Sequence, residues 1–118
     1  MRQLAALLLL LSLPAIAKAK EETRTYNKPP TQVYEAALAV AKENGVVMYS
    51  DKEHQSLTFK SGGYWDKGFE VGVKIQSEDA DKCSVTVKAQ KTYFGEGWGA
   101  AKRVTRNFFT ALTNKLGN

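Results

Sequence analysis

Phe69-Glu70-Val71-Gly72-Val73-Lys74-Ile75-Gln76 is followed, after the acidic stretch Glu78-Asp79-Ala80-Asp81, by Cys83-Ser84-Val85-Thr86-Val87-Lys88-Ala89-Gln90. Side chains alternate across a strand, so each run sorts onto two faces. Phe69, Val71, Val73 and Ile75 share one face of the first run. Cys83, Val85, Val87 and Ala89 share one face of the second. Glu70, Lys74 and Gln76, with Ser84, Thr86, Lys88 and Gln90, take the other side. Two such runs joined by a polar turn predict antiparallel strands with one buried and one wet face.

Working outward, Ser56 to Lys60 alternates in the same way, with Leu57 and Phe59 on the apolar side, and Ser61-Gly62-Gly63 breaks it. Val46 to Ser50 reads as a further strand, joined to it by the polar turn Asp51 to Gln55. Upstream, Val33, Ala37, Val40 and Ala41 recur at helical spacing, with Tyr34 and Leu38 beside them. Thr31 is the expected N-cap, Glu35 lies in the first turn, and Asn44-Gly45 is the expected stop, through a left-handed glycine. Lys20 to Lys28 is polar; Thr23, Thr25 and Tyr26 favour an extended edge strand, which Pro29-Pro30 ends. Downstream, Gly95, Gly97 and Gly99 loosen a loop before a helix from about Ala100 to Leu116, striped by Ala101, Val104, Phe108, Ala111, Leu112 and Leu116. The order is β-α-β-β-β-β-α. One sheet with a single apolar face and two amphipathic helices bury one another as a two-layer α+β domain.

The 118 residues suit one domain, and 43% hydrophobic with 25% charged residues is an ordinary globular composition, unlike disordered, collagenous or disulfide-scaffold chains. Met1-Arg2-Gln3 is a charged start, Leu4 to Leu13 is apolar except for Ser12, and Ala15-Ile16-Ala17 and Ala17-Lys18-Ala19 fit small-x-small cleavage. Together they predict a secretory signal over residues 1–19. An uncleaved anchor is the alternative, but the run is about half of the roughly 20 residues a span needs. Cleavage after Ala19 leaves one domain, residues 20–118, periplasmic or secreted, with no transmembrane span. Arg2 and Lys18 leave with the signal, so the formal charge of +5 falls by two. Cys83, the single cysteine, has no internal disulfide partner; its inward strand position predicts burial.

The pieces form a pattern: a helix rich in Ala with an early aromatic (Tyr34 to Ala41), Gly45, a strand reading Val-x-x-Ser-Asp-Lys (Val47 to Lys52), a short Ser-Leu-Thr-Phe-Lys strand (Ser56 to Lys60), two more strands and a long last helix. This order resembles the helix-grip domains of lipoprotein C of the bacterial outer-membrane β-barrel assembly machine, and several uncharacterised exported domains. The resemblance covers nearly all of residues 20–118. It implies a helix-grip fold and an envelope location, and it carries over no functional residue. That lipoprotein's lipid-attachment Cys is absent here.

The residue inventory limits the chemistry. Zinc sites take about four N or S ligands, and His54 is the only histidine; no metal or cofactor is expected. Glu78, Asp79 and Asp81 lack calcium-loop spacing. A Ser–His–acid set would have to use His54, which sits in a polar turn, so no catalytic residue is assigned and a non-enzyme is expected. Gly95-Glu96-Gly97-Trp98-Gly99 precedes a helix but carries Glu96 and no P-loop Lys-Ser/Thr. Tyr64, Trp65, Tyr93 and Trp98 lie in loops beside strand ends; they are candidate partner-binding contacts, or else they close the end of a small core. Lys102, Arg103 and Arg106 cluster at the start of the last helix as candidate anion contacts, or as a solvated face. Export argues against nucleic acid. The expected function is a non-enzymatic envelope protein that binds a protein partner or an anionic envelope component. The alternative is a small apolar-ligand carrier with its cavity between the last helix and Phe59, Val71, Val73 and Val85.

Overall fold

Every strand pairing is antiparallel, and the strands lie in the order β1-β5-β4-β3-β2. The computed structural model describes residues 20–91 and 98–117. Its elements are β1 (Lys20–Tyr26), α1 (Pro30–Glu43), β2 (Gly45–Asp51), β3 (Ser56–Ser61), β4 (Phe69–Asp79), β5 (Lys82–Lys91) and α2 (Trp98–Leu116). The two-layer α+β order read from the sequence is the order observed. Helix α1 packs over β2, β3 and β4, helix α2 over β5, β4 and β1, and the helices touch each other.

The alternation explains the core. Phe69, Val71, Val73 and Ile75 of β4 and Cys83, Val85, Val87 and Ala89 of β5 are all buried, in one core with the Val33, Tyr34, Ala37, Val40 and Ala41 stripe of α1. Helix α2 contributes Ala101, Val104, Phe108, Phe109, Leu112 and Leu116. Phe109 was not on the expected stripe, and Ala111, which was, is only partly buried. The stripe is wider because α2 faces both the sheet and α1. At the sheet edge Arg24 lies 4.4 Å from the centre of the Phe109 ring, and the Tyr26 hydroxyl is 3.0 Å from that of Thr113. Those contacts tie edge strand β1 to α2. Burial pushes the Tyr26 hydroxyl above its ordinary pKa, with the Thr113 hydrogen bond opposing. Among the described residues no buried side-chain nitrogen or oxygen lacks a hydrogen-bond partner.

Two boundary expectations change, and with the helix starting at Pro30, Glu35 falls outside its first turn. Thr31 is not the cap: α1 starts at Pro30, with Pro29 at the N-cap and the Val33 N–H donating to the Pro29 carbonyl at 3.1 Å. Proline lacks the N–H that a first helical position leaves unpaired, and its φ is preset for the helix. Gly45 is not left-handed either. It opens β2 against β3, where any Cβ would collide with the Lys60 carbonyl. The helix is stopped by Asn44, whose side-chain amide donates to the Val40 carbonyl at 2.9 Å.

Candidate functional site

One end of the sheet gathers a loop, a strand end and a helix start. Phe69, the first residue of β4, pairs with Lys91, the last of β5, so residues 61–68 run beside the exit from β5. Ser61 occupies the third inward position of β3 after Leu57 and Phe59, where a third apolar residue would ordinarily stand. It is buried, and its hydroxyl donates to the Asp66 carbonyl at 2.6 Å and accepts the Phe69 N–H at 3.1 Å. The Gly68 N–H adds a bond to the Ser61 carbonyl at 3.2 Å, and the Trp65 N–H one to Gly62 at 3.0 Å. Gly63 (φ 65°) and Gly68 (φ 81°) supply the left-handed turns that side-chain-bearing residues resist.

The bend splits the two loop aromatics. Tyr64 is fully exposed, whereas Trp65 packs on the core with its ring 6.3 Å from that of Phe59. The next residue latches the loop: Asp66 Oδ2 accepts from Arg103 Nε at 2.9 Å and Nη2 at 2.7 Å. Lys91 donates to the Lys67 carbonyl at 3.3 Å while its ammonium sits 4.7 Å from the centre of the Phe69 ring. Trp65 therefore sits as a plug over the end of the core, on a loop that turns at two left-handed glycines and is joined to α2 by an exposed ion pair.

The expected site residues fall as follows. Tyr64 and Trp65 share the loop but not its role. Tyr93 lies outside the described residues, and Trp98 begins α2 with its side chain outside them. Arg103 has its anion already, in Asp66. Lys102 turns toward β1, beside a hollow of about 70 Å³ shared with Glu21, Glu22 and Thr105, and Arg106 is exposed. Asp66 and Ser61 were missed. An inward polar residue in an alternating strand was the available signal for Ser61; nothing local marks Asp66, whose partner lies 37 residues on.

The residues expected to line a cavity under the last helix, Phe59, Val71, Val73 and Val85, lie on the face of the sheet that the helices cover. Those four residues are at most 2% exposed, and the Phe59 and Phe108 rings stand 5.9 Å apart across the gap. Cys83 is buried as expected, and burial pushes its thiol pKa up, away from the reactive thiolate.

One group of metal-type donors stands among the described residues. Asp51, Glu53 and His54 place ligand atoms within 4.8 Å of one another at the β2–β3 turn. Asp51 is already engaged: it lies 2.7 Å from His54 Nδ1, accepts the His54 N–H at 3.1 Å and accepts the Tyr49 hydroxyl at 3.1 Å. Hydrogen bonding to His54 holds its carboxyl below the ordinary range. These contacts account for the cluster as a turn closure.

No family model matches the chain, and no curated protein matches it. Solved structures do. The di-domain ARO/CYC StfQ from the steffimycin biosynthetic pathway aligns at a TM-score of 0.61 and 9% identity, over 80% of this chain and 44% of that one. Ara h 8.0201 aligns at 0.54 and 14%, over 85% of this chain and 98% of that one. The Zhui aromatase/cyclase from Streptomyces sp. R1128 aligns at 0.50 and 12%, over 83% and 90%. The fold is helix-grip. This chain spans less than half the length of StfQ. At such identities the likeness concerns the fold. It supports the helix-grip part of the earlier resemblance, and neither the specific likeness to lipoprotein C nor export. It also overturns the expectation of a non-enzyme, because aromatase/cyclases are enzymes built on this fold. A missing sequence motif was a poor ground for that expectation: side chains gathered from several strands around a pocket leave no local spacing to read.

Proposed function

We propose that this protein is a helix-grip domain that binds a small apolar molecule at the end of the core closed by Trp65. The observation that carries the proposal is the plug itself. An aromatic ring covers buried Phe59, on a loop that two left-handed glycines hinge and one exposed Asp66–Arg103 pair fastens. An apolar ligand can take the place of that ring against Phe59 and Phe108 without dismantling the sheet. Its surroundings would be aromatic and aliphatic, with the Ser61 and Thr105 hydroxyls as the buried polar groups on that face. Binding of this kind serves a carrier and a converting enzyme alike. The signal-like residues 1–19 support a periplasmic or secreted setting, which N-terminal sequencing of the protein from cells would check.

The test is titration with 1-anilinonaphthalene-8-sulfonate, alongside native mass spectrometry of protein isolated from cells. The wild type should bind the dye saturably with the fold intact. Trp65→Ala removes the cost of displacing the plug and should bind about tenfold more tightly. Absence of saturable binding in both proteins, with no co-purifying small mass, would remove the proposal.

A further inference from the structure

We propose that the end of the molecule around Tyr64 docks on an anionic lipid bilayer. The first ground is where charge is left over. Residues 61–68, the end of β5 and the start of α2 meet at one end of the sheet, joined by the Lys91 bond to the Lys67 carbonyl and by the Asp66–Arg103 pair. Each acidic side chain described there faces a cation. Asp66 holds Arg103 and Glu22 holds Arg24, while Glu70 stands opposite Lys60 and Glu21 opposite Lys88 in the register. Lys67, Lys91, Lys102 and Arg106 are exposed and make no ion pair among the described residues. The opposite end of the strands is the reverse. There Lys52 is paired with Glu35, and Lys82 stands opposite Asp79. Glu53, Glu78 and Asp81 are exposed with no ion pair among the described residues. Surplus positive charge thus sits at one end and surplus negative charge at the other. An anionic surface attracts the first and repels the second, so it selects one orientation.

The second ground is apolar surface left out of the core at the basic end. Tyr64 is fully exposed beside left-handed Gly63. Val46, 69% exposed, stands opposite Lys60 at the start of β2, next to the Gly62 N–H bond to the Asn44 carbonyl. An aromatic ring among lysines and arginines is the composition that settles at a membrane interface: the ring enters the headgroup layer while the cations meet its phosphates. The free cations are spread over a loop, a strand end and a helix. That spread suits a charged surface better than a single anion. Docked this way, the Trp65 plug next to Tyr64 faces the phase in which apolar molecules dissolve. The inference rests on the apolar-site reading for that purpose alone, since docking is measured with no ligand present.

Co-sedimentation with phosphatidylcholine vesicles, with and without phosphatidylglycerol as one lipid in three, tests it. The anionic vesicles should bind the protein about tenfold or more above the neutral ones, and about 1 M sodium chloride, where the Debye length is about 3 Å, should erase the difference. One Lys or Arg at such a surface is worth about a fivefold change in partitioning. Lys102→Gln with Arg106→Gln should therefore weaken binding by roughly tenfold or more, and Tyr64→Ser should weaken it by about threefold. Lys52→Gln with Lys82→Gln removes the same charge from the far end and should leave binding unchanged. All five side chains are exposed, so the variants keep the fold. Equal binding to both kinds of vesicle, binding to neither, or an equal loss from the far-end variant overturns the proposal. So does competition by glycerol 3-phosphate, which would assign the cations to a free phosphate. Vesicle binding without dye binding would remove the apolar site and leave the docking surface; dye binding without vesicle binding would do the reverse.

Discussion

On its inner face β4 presents Phe69, Val71, Val73 and Ile75, none more than 3% exposed. On its outer face the same strand presents Glu70, Gly72, Lys74 and Gln76 to water. The inner residues are chosen by their neighbours: each fills volume against a helix, and close packing leaves little freedom. The outer residues answer to no packing partner, so the fold tolerates wide choice there. A residue that costs stability on the outer face therefore says more about use than one on the inner face. Gly72 stands on that outer face, in the interior of the central strand. Ser61 is its counterpart inside, a polar group kept in the core because the 61–68 loop is hung from it.

Three measurements would break or sharpen this contrast. The largest effect should come from Phe59→Ala, which removes the ring packed between those of Trp65 and Phe108. A loss of about 3–5 kcal/mol is expected in denaturant unfolding. A loss near that of a surface substitution would mean the inner face is looser than its burial implies. Next is Ser61→Ala, which strips the buried Phe69 N–H of its acceptor. It should cost about 1–3 kcal/mol and speed amide exchange at Phe69 and Gly68. Unchanged exchange there would show that the loop is held by something other than Ser61. The smallest effect concerns Asp51 at the end of β2. Its folded pKa is depressed, so the turn's contribution is complete at neutral pH and is lost as pH falls through that lowered value. Carboxyl NMR should find its midpoint below the ordinary aspartate value of about 3.9, and His54→Ala should move it back up. An unshifted midpoint in the wild type would dissolve the His54 turn closure.

The alternation of β3, β4 and β5 and the helical spacing of α1 made the fold legible in advance. Period and polarity are local properties, and a single sheet face plus two stripes has few ways to close. The site was much less legible. Trp65 and Arg103 stood out as an aromatic and a basic residue, but their roles depend on Phe59 and Asp66, which reach them only through the sheet register and the placement of α2. Phe109 was missed because a stripe drawn for one neighbour is too narrow for a helix with two.

Cys83 sits in β5 directly across from Tyr26, under an edge strand that is fastened to α2 through the Thr113 hydroxyl. Its side chain is buried in the core, so a thiol reagent can reach the sulfur only after the structure around it has opened. The lone thiol is thus a stopwatch: its rate of alkylation counts how often this part of the core opens, and it does so without any label being added to the chain.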